Sequence, residues 1–193
     1  MSENLRLYTT VMFGLEHTLT RVPSDAWDRP SPCAGWTVRE VAGHAMAVTR
    51  NIAARASGGE VLDAFTDVAA IAGNDPVAAF RMHRAHFLEA TDRRGALQTP
   101  VASRVGDMTV DSYMAFMRSD TFVHTWDIAR GSAIDPHFDP QIVSVILADY
   151  LGRDMTPFRV PQRYDDERSV TDNADDLARL IAFTGRDPEW LAS

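Results

Sequence analysis

The sequence predicts an all-α fold, a four-helix bundle with additional short C-terminal helices. Two observations carry the all-α part directly. Apolar residues recur at spacings of three and four through four stretches of about 16 to 22 residues. Few segments alternate with period two, as a sheet would require.

The first stretch, residues 4 to 20, places Leu5, Tyr8, Met12, Leu15 and Leu19 on one face. Three prolines and a glycine between residues 21 and 36 forbid a continuous helix there. Thr37 followed by Glu40 is a capping-box signature, so the second helix starts near Val38 and runs to about Ala56. Residues 61 to 72 read as a short helix. Pro76 opens the next, through about Asp92. Residues 93 to 108 are the least helical, with a short extended piece over 99 to 105. A fourth main helix spans about 109 to 130, a fifth 139 to 152 and a last one about 174 to 183. Residues 153 to 172 read as a loop, and the tail from Gly185 to Trp190 as a turn anchored by the tryptophan. The other tryptophans, 27, 36 and 126, read as packing anchors.

Composition narrows the function classes. The chain has 193 residues with 45% hydrophobic and 24% charged side chains, ordinary for one globular domain spanning 1 to 193. Its formal net charge of −8 argues against reading a phosphate backbone, so no nucleic-acid partner is expected. All 19 basic residues are arginine, which removes lysine Schiff-base chemistry and the P-loop lysine. The single cysteine, Cys33, excludes an intramolecular disulfide and a Cys-rich zinc site. It reads as a buried small residue; its place one turn before a helix start is a feature that lowers a thiol pKa. No apolar run reaches membrane-spanning length, and the first residues lack a signal-peptide core. A cytoplasmic protein with no membrane partner is the expectation. A homodimer through the exposed faces of the first or third helix stays open.

The chemistry concentrates on the fourth main helix. At 100° per residue, Asp120, His124 and Asp127 fall within about 40° of Tyr113 on a helix that is apolar nearly all round. Burying two carboxylates without partners is costly, and a cation on that face removes the cost. Asp120 and His124, at i and i+4, converge on one point. An open metal site usually takes three protein ligands. Periodicity does not choose the third: His44 lies on the edge of the second helix's apolar stripe, and His83 and His86 form an H-x-x-H pair. The bland alternatives are a plain Asp–His hydrogen bond, and for His83 and His86 solvated positions on a helix face.

Two blocks resemble a known family. Pro32-Cys33-Ala-Gly35-Trp36-Thr37-Val38-Arg39-Glu40, followed by His44, and Asp120-x-x-x-His124-x-Trp126-Asp127-Ile-Ala-Arg130-Gly131 resemble the signatures of the mycothiol-dependent maleylpyruvate isomerase metal-binding domain, a DinB/YfiT-like family. The closing Gly185-Arg-Asp-Pro-x-Trp190 is similar to a small single-domain branch. The resemblance implies a divalent metal held by His44, Asp120 and His124, most readily zinc, with nickel, iron or manganese as alternatives. It implies an enzyme that uses a mycothiol-like thiol as cosubstrate for isomerisation or thiol transfer on a small electrophile. Asp127 is then a carboxylate orienting His124, or in the bland reading a helix-end contact of Arg130. Arg39 and Arg130 are candidates for binding thiol or substrate. The chain departs from the isomerase in carrying Asp120 where that enzyme has Glu. About 60 residues follow Gly131, short for the isomerase's second domain. A hydrolase using metal-bound water, and a non-catalytic stress-response module stapled by its metal, remain as alternatives.

Overall fold

A computed structural model describes residues 1–103, 106–160 and 163–192. Among them are seven α-helices and one two-stranded sheet. The helices are α1 (Glu3–Leu19), α2 (Val38–Ser57), α3 (Val68–Ala72), α4 (Pro76–Asp92), α5 (Val110–Gly131), α6 (Pro140–Leu151) and α7 (Asp176–Phe183). The strands β1 (Pro100–Ser103) and β2 (Gly106–Thr109) pair antiparallel, Val101 opposite Met108. No helix among the described residues is long and apolar enough to cross a membrane.

Local chemistry accounts for the boundaries. The Thr37 hydroxyl accepts from the Glu40 N–H while the Glu40 carboxylate accepts from the Thr37 N–H, so both partners of the box are engaged. Gly58 ends α2 in the left-handed conformation, φ 74°. Asp75 caps α4 just before Pro76. Leu7, Tyr8, Val11, Met12, Leu15 and Leu19 bury one side of α1.

Two apolar cores share α5. Val110, Met114 and Ile128 join the core made with α1, α2 and α4. Phe122, Val123 and Trp126 face a second core built from α6, α7 and Val11. A helix serving two cores must be apolar on most sides, which is why α5 shows no single wet face.

Two sequence expectations change. Residues 61 to 67 are not helical; only Val68–Ala72 is. The Leu62 N–H donates to Asn51 Oδ1 and its carbonyl accepts from Asn51 Nδ2, at 2.8 and 2.9 Å, and the Ala64 carbonyl bonds His44. Backbone groups spent on α2 are unavailable for a helical ladder. The extended piece near residue 100 is half of a hairpin, whose second strand the sequence reading lacks. Arg104 and Val105, the end of the stretch read as extended, lie outside the described residues. So do residues 161 and 162 of the loop read over 153 to 172, which otherwise holds one short 3-10 turn, Thr156–Phe158.

Gly43 sets how closely that crossing segment approaches. A Cβ there would stand 1.8 Å from the Val68 carbonyl oxygen, so only glycine lets α3 lie on α2 at this point. The next residue along α2 is His44. The Ala64 carbonyl, four residues before Val68, meets that histidine at its Nδ1.

Candidate metal centre

His44, from the middle of α2, and Asp120 and His124, one turn apart on α5, converge on one point. One potential ligand atom from each lies within 4.8 Å of the others. His44 Nε2 is 3.4 Å from one Asp120 oxygen and His124 Nε2 is 3.6 Å from the other. These gaps are long for hydrogen bonds. They are close to the ~3.3 Å between ligands around a tetrahedral ion with bonds of about 2.0–2.1 Å.

Both rings are held from behind. The His44 Nδ1–H donates to the Ala64 carbonyl at 2.6 Å, and the His124 Nδ1–H donates to Asp127 Oδ2 at 2.9 Å. Each Nε2 is thereby left with a lone pair aimed at the shared point, the tautomer a metal ligand needs. Trp36 covers the pair, its ring 5.1 Å from His44 and 6.3 Å from His124.

Asp127 is the most heavily tied carboxylate of the site. It is fully buried, and Arg186 grips it in bidentate fashion at 2.7 and 2.8 Å. Its partner is therefore Arg186, 59 residues away, and not Arg130. Gly185, at φ 86°, turns the chain so that Arg186 enters; a Cβ there would strike Asp165.

Asp120 is different. Its side chain is one-fifth exposed, and its Oδ2 is buried without a hydrogen-bond partner. Burial pushes its carboxyl pKa up, but His124 and His44, when protonated in the metal-free site, outweigh this and bring it down to about 2. Burial likewise pulls His44 down, and the adjacent Asp120 overrides it, holding His44 above its ordinary value. An anionic, orphaned oxygen between two lone pairs fits a divalent cation, and the donor set of two imidazoles and a carboxylate fits zinc-type ions.

Cys33, His124 and Asp127 also come within ligand distance of one another. Asp127 is already saturated by Arg186 and His124. The Cys33 thiol is pushed up to about 12, by burial first and then by the Asp127 charge. The helix-start effect expected to lower it is overridden, and a thiol held protonated is a poor metal ligand.

The remaining sequence candidates lie elsewhere. Arg39 bonds Asp28 and the Gly73 carbonyl and sits over Trp27. Arg130 bonds the Pro188 carbonyl and sits over Trp126. Neither lines the cavity. His86 is exposed as expected, but His83 is on the buried face of α4 rather than solvated. The positions sequence reasoning missed are Ala64, whose role is a backbone carbonyl, and Arg186, which lay inside the quoted tail motif without a visible partner.

A cavity of about 550 Å³ opens beside the centre. His44 and Asp120 form part of its wall together with Asn51, Phe65, Tyr113 and Met117.

Two histidines and a carboxylate thus converge beside a cavity in a helical domain, a group that could hold a metal ion. The chain belongs to the mycothiol maleylpyruvate isomerase N-terminal domain family, whose model matches residues 14–129, more than half of its length. A crystal structure of a mycothiol-dependent maleylpyruvate isomerase mutant shares the fold, with a TM-score of 0.54 at 20% identity over 77% of this chain. The alignment covers 66% of that larger chain. Two uncharacterized proteins of Mycobacterium tuberculosis, Rv0738 from strain ATCC 25618 / H37Rv and MT0763 from strain CDC 1551 / Oshkosh, are each 23% identical over 169 residues. That is 87% of this chain and 89% of theirs.

Proposed function

We propose that this protein is a divalent-metal-dependent enzyme that activates a low-molecular-weight, mycothiol-like thiol for isomerisation or transfer on a small electrophile. The observation that carries it is Asp120, with an unpartnered Oδ2, between two histidines whose Nε2 atoms stand 3.4 and 3.6 Å from its two oxygens, beside a cavity. Kinship with the maleylpyruvate isomerase family supports the thiol.

His44, Asp120 and His124 hold the ion, and zinc suits them best. When bound, it supplies the positive charge that removes the proton of a thiol at neutral pH. Ala64 and Asp127 keep the two rings from rotating, so the ligand set is rigid before anything binds. Trp36 and Phe65 shield the His44 ring from water. Isomerisation then needs no further acid or base: sulfur adds to a conjugated double bond, the π pair moves to the adjoining carbonyl, the single bond rotates, and the same C–S bond breaks. In transfer, sulfur instead displaces a leaving group, which departs with the bonding pair.

The test is metal content by elemental mass spectrometry, wild type beside His44→Ala, followed by thiol titration of the cobalt-loaded protein. One ion per chain, lost in the variant, and a sulfur-to-cobalt charge-transfer band support the reading. An ion that binds no thiol would overturn it. Turnover without added thiol would point to metal-bound water instead.

A further inference from the structure

We propose that the cavity takes a monocarboxylic acid with an apolar body, its carboxylate held by Arg55 and Arg163. The inference deepens the thiol-dependent reading above and rests on it for the reaction, though not for the binding.

Arg55, from the last turn of α2, lies over the Tyr113 ring at 4.9 Å. Arg163 lies over the Phe65 ring at 4.7 Å, and that ring is 5.0 Å from the ring of His44. Both guanidinium groups line the cavity that His44 and Asp120 help to wall. Neither has a carboxylate within 4.0 Å among the described residues, and the Arg55 Nε is buried without a partner. Most other arginines near a carboxylate in this chain use it: Arg118 on Asp149, Arg81 and Arg84 on Glu16, Arg186 on Asp127. A guanidinium stacked on a ring, half-buried and without a carboxylate partner, is prepared for a planar anion.

The charge of the cavity selects how many anions. Its charged lining is Arg55, Arg163, Asp63 and Asp120. Asp63 spends its oxygens on the Phe65 N–H and the Thr66 hydroxyl, turning its own loop. The four formal charges cancel. A divalent ion at Asp120 leaves two positive charges, in a protein whose net charge is −8. One thiolate and one carboxylate restore neutrality; a diacid overshoots. Its second carboxylate would also face the apolar wall of Val48, Val61, Leu62, Phe116 and Met117, where burying a charge is costly. Those same side chains suit an aromatic or branched body.

Arg163 also lines a smaller adjoining cavity of about 80 Å³ with Tyr150 and Tyr164. The two hydroxyls are 3.1 Å apart; one donates to the other, leaving one O–H free to donate. Asp120 borders both cavities.

The test is calorimetric titration of 3-phenylpropanoate, its neutral amide and succinate into wild type, Arg163→Gln and Arg55→Gln, each zinc-loaded and metal-free. The acid should bind at least tenfold tighter than the amide and than succinate. Either substitution should remove that preference while leaving amide binding unchanged. The preference should persist without zinc, which separates guanidinium binding from coordination to the ion. Equal binding of acid and amide by wild type overturns the proposal, even if a variant fails to fold; so does tighter binding of succinate. Acid selectivity in a protein that takes up no metal ends the thiol reading and keeps the pocket. Metal and thiol binding without acid selectivity does the reverse.

Discussion

Asp120 and Asp127 sit two turns apart on α5, on either side of His124, and they are built in opposite ways. Asp127 has every oxygen engaged, by a bidentate arginine and an imidazole N–H, and no exposure. Asp120 has an orphaned oxygen and histidines standing off at 3.4 and 3.6 Å. The difference separates structural from functional burial. A carboxylate that serves the fold is saturated by the chain itself. One left unsaturated in the same helix, at the edge of a cavity, is reserved for something the chain does not supply.

The sharpest way to break that comparison is to remove each carboxylate in turn from metal-free protein and measure urea unfolding. Asp127→Ala strands Arg186 in the core and should cost about 3–5 kcal/mol. Asp120→Ala should cost far less there, yet abolish metal uptake. If the costs come in the reverse order, the assignment of roles fails. Next in size is the ion itself. Zinc at a hundred times its dissociation constant should add about 2.7 kcal/mol to wild type and nothing to Asp120→Ala, read as a thermal shift that a chelator reverses.

The pH dependence should then change sign with metal. In metal-free protein the raised His44 contributes stability that is fully present below its unfolded value, near 6.5, and is lost as pH rises through its folded value. Asp120, depressed to about 2, contributes stability present above its unfolded value near 3.8 and lost only in strong acid. The pair thus works best between those limits. Zinc requires both histidines unprotonated, so its stabilisation should grow as pH rises through the same window. Denaturant titrations at pH 5 and 8, with and without zinc, read both slopes; parallel slopes would remove the ion from the centre. The smallest effect concerns Cys33. With its thiol pushed up to about 12, it should react with a disulfide reagent at pH 8 far more slowly in folded than in unfolded protein. Equal rates would show the back of the site to be open.

Much of this was legible where the signal is local. The capping box at Thr37, the proline opening α4 and the i, i+4 spacing of Asp120 and His124 each act within a turn of helix. His44 was not selectable by periodicity; it emerged from the family resemblance, because nothing in α2 alone says which edge faces α5. The stretch from 61 to 67 looked helical because its composition allows a helix, while the carbonyls of Leu62 and Ala64 are claimed by side chains of α2. Arg186, Arg55 and Arg163 share this difficulty. Arginine is the chain's only cation besides histidine, so its use at a site leaves no mark in the sequence, and each partner or ring lies tens of residues away.

The Arg186–Asp127 pair also imposes an order of events on synthesis. Asp127 leaves the ribosome 59 residues before the cation that neutralises it. At about 5–20 residues per second, that is roughly 3–12 s in which α5 carries an unpaired acid destined for the interior. His124 has no fixed ring until the pair closes. On the proposed reading, the nascent chain completes its ion-binding geometry late, and metal captured earlier would be held by a looser, exchange-prone set of ligands.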